Sequence, residues 1–320
     1  MNQITITQGS ELIAATPRPA DQNPAAVYLA SLKPTGRRTQ AQALAVMAGL
    51  MGADLQTMEW HRLRYQHTAA IRERLAEAYA PATVNKYLSA LRQVLKHAWR
   101  LELMTAENYQ RAADLGGVNG ETLPAGRELT PGEILALMQA CQNDQTPAGV
   151  RDAALLAVLY AGGLRRAEAV GAQLEDYNTD TGELVITGKR GKQRIVHLTN
   201  GAYAAMADWL QVRGTGSGSI FQAINKSGKI THGQLTAQAV YNILSKRGGE
   251  AGVAAFSPHD LRRTFVSDLL EAGVDIATVS KMAGHANVQT TARYDRRPEA
   301  AKKAAAKMLH LPYQQNRLLW

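Results

Sequence analysis

Residues 257–265 read Ser-Pro-His-Asp-Leu-Arg-Arg-Thr-Phe. Ser257 suits the cap of a helix and Pro258 its first position, so a helix opens here. His259 and Arg262 stand three apart and share a face of its first turn. The free N–H groups and the dipole at a helix N-terminus favour anions, and an imidazole and a guanidinium presented there make a clamp for a phosphate. Read alone, the stretch fits a capped surface helix with an ordinary ion pair equally well. Its neighbours along the chain carry the argument further.

Downstream, a helix that Asp275 can cap ends at Gly284, a natural stop, and His285 follows at once. Tyr294 comes nine residues later, in Thr290-Thr291-Ala292-Arg293-Tyr294. A phenol with a reference pKa of about 10 is a poor nucleophile at neutral pH. It needs cationic surroundings and a base or acceptor, which two arginines and two histidines can supply. Most tyrosines do no more than pack. Upstream, Arg165 follows the Gly162-Gly163 break and precedes Glu168 by three. Its planar fork suits the non-bridging oxygens of a phosphate, and Glu168 can hold that fork in place. A local helical ion pair explains the same pair of residues. Two short strands, Glu183–Thr187 and Gln193–Leu198, flank the basic tip Gly188-Lys189-Arg190-Gly191-Lys192. A flexible ammonium at Lys189 can reach and protonate a leaving oxygen. Arg190, Lys192 and Arg194 beside it are expected to meet DNA backbone. A soluble, charged hairpin is the plainer alternative.

The chain has 320 residues, so two domains are the default. Apolar residues make up 45%, enough for real cores. No apolar run reaches the roughly 18 residues of a membrane span, and the N-terminus lacks the pattern of a secretory signal. Cys141 is the only cysteine, which excludes intramolecular disulfides and cysteine-rich metal sites and fits a reducing cytoplasm. Lys and Arg outnumber Asp and Glu by 36 to 27, which raises the expectation of a polyanionic partner. The surplus is dense between His61 and Arg100, where Arg62, Arg64, Arg72, Arg74, Lys86, Arg92, Lys96 and Arg100 face only Glu73 and Glu77. That stretch reads as a phosphate-tracking surface, with a solvated helix face as the alternative.

The domain plan follows from punctuation. Residues 1–23 read as a flexible arm. Residues 24–113 are helical; in Ala82–Arg100 the positions Val84, Tyr87, Leu88, Leu91, Val94, Leu95 and Ala98 form one apolar stripe, with Lys86, Arg92, Lys96 and Arg100 largely opposite. Glycine-rich 114–128 reads as a linker. Thr130, Pro131 and Glu133 then signal a capping box, with Leu129 and Ile134 spaced as a hydrophobic staple, and a second domain runs over 129–320. It is mainly helical with one small sheet. Helices are expected over Val150–Ala161, Leu164–Val170, Ala202–Arg213, Gln234–Arg247, Ser257–Glu271, Asp275–Ala283, near Asn287–Tyr294, and from about Pro298 to Met308.

Four motifs in this order across the second domain resemble the tyrosine recombinase (phage integrase) family, GLRRAE, ITGKRGKQRIVHL, SPHDLRRTF and GHANVQTTARYDRR, and TVNKYLSALRQVLKHAW in the first domain resembles it more loosely. The simple two-domain Xer/Cre-like type is the nearest pattern. The resemblance implies a C-shaped clamp, a helical, SAM-like core-binding domain and an α+β catalytic domain embracing one duplex. It implies that Tyr294 attacks the scissile phosphate and forms a 3′-phosphotyrosyl link. Arg165 and Arg262 would hold the non-bridging oxygens, Lys189 would be the general acid, His259 would assist proton transfer, His285 would hydrogen-bond the phosphate, and Glu168 would orient the site. It further implies a double-stranded recombination site as partner, a Holliday junction intermediate, and a homotetramer on two sites joined by a C-terminal helix, here Glu299–Leu311. No metal or nucleotide cofactor is implied. Gly162 and Ala172 depart from the family's usual residues without touching this chemistry. Two other functions share the pattern: a type IB topoisomerase-like nicking-closing enzyme, and a catalytically silent DNA-binding protein of the same fold.

Overall fold

A computed structural model of the chain describes residues 12–13, 16–120, 126–188 and 191–294, with the single positions 306 and 308. The chain divides into two compact units, Met1–Ala125 and Gly126–Trp320.

The first unit holds α1 (Pro24–Ala30), α2 (Pro34–Leu50), α3 (Tyr65–Ala78), α4 (Pro81–Arg100) and α5 (Ala106–Ala113). Pro81 starts α4 at a position where its missing N–H costs nothing. Every residue of the expected apolar stripe, Val84 to Ala98, is buried, and α4 packs against each of the other four helices. Burying each large aliphatic side chain contributes about 1.5–3 kcal/mol before entropy is counted. Trp60, Leu63, Ile71 and Leu75 complete the core.

Two expectations for this unit need correction. Where it is described, the supposed arm is tied down. Leu12 is buried and its carbonyl accepts from the Glu59 N–H at 2.9 Å, while Arg18 forks onto the Glu59 carboxylate at 3.0 and 3.1 Å. One apolar side chain and one nearly buried carboxylate set the path of this polar segment. The first part of the supposed linker also packs here: Leu115 is buried, and the Asn85 side chain exchanges two 2.9 Å hydrogen bonds with the Val118 backbone.

The second unit begins with α6 (Pro131–Asn143), which carries the expected capping box: Thr130 Oγ1 accepts from the Glu133 N–H, and Glu133 Oε2 accepts from the Thr130 N–H. Next come α7 (Pro147–Tyr160), α8 (Arg166–Gly171), β1 (Glu183–Thr187), β2 (Gln193–His197), α9 (Asn200–Arg213), β3 (Gln222–Ile224), β4 (Ile230–Gln234), α10 (Ala237–Glu250), α11 (Pro258–Glu271), α12 (Ile276–Ala283) and α13 (Val288–Ala292). Strands β1 and β2 pair antiparallel, with Ile186 opposite Arg194. The unbroken apolar run of α7 is buried from Ala153 to Leu159 and packs on α6, α9 and α11. Cys141, on α6, is buried, and burial pushes its thiol up to about 12.

The β3–β4 hairpin is an addition to the sequence reading. Its strands are short, with Ala223, Ile224 and Ile230 partly buried against the core, and its turn is held by Asn225 Oδ1, which accepts from the Ser227 and Lys229 N–H groups. The helix expected from Gln234 therefore starts at Ala237, capped by Thr236. The expected tail helix and the Glu299–Leu311 segment lie outside the described residues except for positions 306 and 308. Among the described residues no helix is long and apolar enough to cross a membrane.

A buried ion network ties distant helices of this unit. Arg247, 1% exposed, reaches Asp152 at 2.9 Å, Asp144 at 2.6 Å and Glu250 at 2.8 Å, while Arg151 holds the other Asp152 oxygen at 2.8 Å. Removing one member strands the buried charge of the others. Arg247→Met is expected to destabilise the protein by about 3–5 kcal/mol, lowering the thermal midpoint by roughly 10 °C. Calorimetry checks it; a midpoint within the scatter of wild type would show that the network contributes little.

Candidate active site

Five elements bring the site together: α8, β2, α11, α12 and α13, the last leading into Tyr294. The Ser257–Asp260 capping box is present, with Asp260 Oδ2 accepting from the Ser257 N–H at 2.8 Å, and it presents His259 and Arg262 on the first turn of α11. Arg165 is the cap residue of α8 rather than a residue within it, with extended backbone. The Gly162-Gly163 turn lies against α11: Gly163 has φ +59°, and a Cβ there would meet the Phe265 ring at 2.4 Å, so only glycine lets the turn come this close. β2 supplies Arg194, and α12 supplies its C-terminal end.

That end organises the cations. Helix C-termini leave carbonyls without partners and carry partial negative charge. Three consecutive carbonyls are each taken by a different arginine: Met282 by Arg194 Nε at 3.1 Å, Ala283 by Arg262, and Gly284 by Arg165 Nη2 at 3.2 Å. Arg262 also donates to the Gly163 carbonyl and is 2% exposed. Glu168 balances part of this charge. Its Oε1 accepts from Arg165 Nη1 at 2.7 Å, its Oε2 accepts from the Arg165 N–H at 2.9 Å, and Arg194 forks onto both oxygens at 3.2 and 2.8 Å. Burial pushes the Glu168 carboxyl up, but the hydrogen bonds from Arg194 and Arg165 outweigh it and bring it down to about 2. Burial, then the neighbouring Arg165, lowers Arg262 to about 10.

The phenol faces this cluster. Tyr294 Oη lies 3.1 Å from His259 Nε2. The Tyr294 and His285 rings are 6.3 Å apart and nearly parallel, and the Arg263 guanidinium sits 5.5 Å from the Tyr294 ring centroid, a cation–π contact. His285 Nδ1 is 2.8 Å from the buried Thr291 hydroxyl; with Thr291 donating, Nε2 carries the proton and can donate to an anion. Burial lowers the pKa of His259, with Arg262 and Arg263 adding to the effect. Burial and then Arg262 and Arg165 lower His285 to about 4. Both imidazoles are therefore neutral near pH 7. A neutral His259 can accept the phenolic proton, and the guanidiniums can receive an anion. That is the equipment for nucleophilic attack on a phosphate by tyrosine.

Of the residues singled out from sequence, Arg165, Glu168, His259, Arg262, His285 and Tyr294 converge here, while Lys189 and Arg190 lie outside the described residues. Lys192 is exposed at the base of the hairpin tip. Arg194 departs from its expected role: its nitrogens bind Glu168 and Met282. Arg92 departs too. It donates to the Ala113 and Leu115 carbonyls at the end of α5, a helix-terminating contact. Lys86 and Arg100 are exposed on α4, and Lys96 is half-buried. Arg263 and Thr291 escaped the sequence reading; the only hint of Arg263 was its place beside Arg262.

The sequence profile of the Phage integrase family matches residues 127–300, and the chain belongs to that family. Among named relatives, the tyrosine recombinase XerD of Mycobacterium tuberculosis (strain CDC 1551 / Oshkosh) is 36% identical over 179 residues, covering 52% of this chain and 56% of that protein. The tyrosine recombinase XerC of Pelobacter propionicus is 32% identical over 228 residues, covering 69% and 72%. The chain thus spans little more than half the length of the first relative and nearly three quarters of the second. Its fold is similar to that of the Tn1549 transposon integrase, solved in complex with transposon right end DNA, with a TM-score of 0.70, 15% identity and coverage of 90% of this chain and 99% of that one.

The depressed histidines make a pH prediction. In the unfolded chain each takes up its proton near 6.5, before the folded site does. Their neutral forms thus favour the fold above about 6.5, and this stabilisation is lost as pH falls toward the folded values. Imidazole titration followed by NMR should put the His285 midpoint near 4 and that of His259 below 6.5. Arg262→Gln should raise both. Midpoints at or above 6.5 would contradict the described surroundings. Gly284 offers a second test. It has φ +64°, and a Cβ there would press on the Arg194 side chain at 3.1 Å. Gly284→Ala should cost about 1–2 kcal/mol from the left-handed backbone alone, read as a shift in denaturant midpoint.

Proposed function

We propose that this chain is a site-specific DNA recombinase that breaks and rejoins DNA strands through Tyr294. The observation that carries the reading is the 3.1 Å contact between Tyr294 Oη and His259 Nε2, beside guanidiniums already held in place. The phenol gives its proton to His259 Nε2 as Oη attacks the phosphorus. The bond between phosphorus and the 5′-oxygen breaks, leaving a 3′-phosphotyrosyl link. Arg165 and Arg262 hold the non-bridging oxygens, whose charge grows in the pentacoordinate transition state, and His285 donates to one of them. Lys189 gives the leaving 5′-oxygen its proton, a role taken from the family resemblance. Religation runs the same steps backwards; the phosphotyrosyl bond conserves the phosphodiester's energy, so no nucleotide is consumed.

The wider reading has residues 24–113 and 129–320 forming two domains that grip one duplex, with Lys86, Lys96, Arg100 and Lys192 on its backbone. Four copies on two sites exchange strands through a Holliday junction, joined by the segment 299–311. The bacterial relatives support a cytoplasmic setting.

The test begins with duplexes selected from random DNA by the wild-type protein. A nicked suicide version of the selected sequence should trap a covalent adduct. Tyr294→Phe should abolish it, and Arg165→Ala should slow it by about 10²–10³-fold. Strand exchange between two selected sites separates recombination from simple nicking and closing. No adduct with wild type, or an undiminished adduct with Tyr294→Phe, would overturn the proposal.

A further inference from the structure

Two arginines share Glu168, and they differ in exposure. The Arg165 side chain is 44% exposed, whereas that of Arg194 is 14% exposed and the carboxylate between them 7%. Arg194 has all three guanidinium nitrogens committed: Nη1 and Nη2 to the two oxygens of Glu168, Nε to the Met282 carbonyl. A guanidinium so engaged has no fork left for a phosphate. Its contacts instead join three parts of the site. Glu168 carries Arg165. Met282 lies at the end of α12, where the next two carbonyls hold Arg262 and Arg165 and the next residue is His285. Arg194 itself stands on β2, opposite Ile186 of β1, below a hairpin closed by the 2.7 Å bond from the Gly188 N–H to the Lys192 carbonyl. The bare Cα of Gly284 lets the Arg194 side chain pass against the turn.

We propose that Arg194 is a positioning residue: through Glu168 it fixes the exposed fork of Arg165, and through Met282 it fixes the turn that leads into His285. This rests on the recombinase reading above. Without Arg194, Glu168 keeps only Arg165 as a strong partner, and the carboxylate pulls that fork inward, away from an incoming phosphate. The Met282 carbonyl loses its donor, and the helix end that aligns the other two arginines loosens. DNA affinity, which depends on the many exposed cations, has no reason to change.

The experiment uses full-length Arg194→Met, Arg194→Lys, Glu168→Gln and the Arg194→Met/Glu168→Gln pair on the selected suicide duplex. Single-turnover adduct formation at saturating DNA is measured beside DNA affinity at several salt concentrations and imidazole NMR. Arg194→Met should slow adduct formation by about 10²-fold, the usual effect of misplacing a reacting group by about 1 Å. Affinity should stay within about threefold, with an unchanged salt slope. The double variant should be no slower than the worse single one, because the two residues act as a unit. Arg194→Lys, which keeps a charge but not the fork, should fall between wild type and Arg194→Met, and it carries the test if the methionine variant fails to fold. The His285 midpoint should rise in Arg194→Met, since Arg194 is among the charges that lower it. An unchanged rate with weaker binding and a salt slope smaller by about one would make Arg194 a phosphate contact. An unchanged rate with only a lower melting point would make it a purely structural ion pair. Either result overturns the inference while wild-type adduct formation leaves the recombinase reading standing; absence of the wild-type adduct strikes that reading instead.

Discussion

Like charges do not gather unaided, and a site meant for a phosphate must gather them before the phosphate arrives. Here Arg165, Arg194 and Arg262 share one short helix end, and the first two also share a single carboxylate. The partial negative charge of that end and the full charge of Glu168 offset the mutual repulsion. The arrangement has a second effect. Carbonyls fix direction as well as charge, so each guanidinium is oriented by backbone that is itself part of the fold. Little reorganisation then remains for the moment of reaction, the condition under which fixed dipoles act most strongly on a developing charge.

The same device recurs away from the site. Arg37 donates to the Leu29 and Ala30 carbonyls at the end of α1, Arg74 to Leu50 at the end of α2, and Arg92 to Ala113 at the end of α5. Arg37, Arg74 and Arg92 thus close helix ends in the first unit as Arg165, Arg194 and Arg262 do at the site. The formal net charge of +9 therefore overstates the cations left to face a polyanion, and the dense basic stretch from His61 to Arg100 overstates it most. Arg62, Arg64, Arg72, Arg74 and Arg92 all bind groups within their own unit.

Sequence disclosed what local rules govern. The stripe of α4, the capping box at Thr130, the caps at Ser257 and Asp275 and the stop at Gly284 all depend on residues within a few positions of one another. Spacing also brought forward the histidines, arginines and tyrosine that meet in the site, because motif order tracks the fold of the family. Contacts over long separations stayed hidden. Arg194 meets Glu168 across 26 positions and Met282 across 88, and Arg263 meets the Gly126 carbonyl across 137. No periodicity links such pairs, so a brace and a DNA contact look alike in one dimension. The β3–β4 hairpin stayed hidden for another reason: strands of three and five residues are too short to show a clear alternating pattern.

The lone thiol has a practical corollary. Cys141 is 1% exposed and its pKa stands near 12, so almost none of it is thiolate at neutral pH. Alkylating dyes and mild oxidants act on thiolates and will pass the native protein by. A cysteine engineered onto the surface would then be the single reactive handle, and fluorescent labelling could follow each unit on DNA without first stripping the chain of its own sulfhydryl.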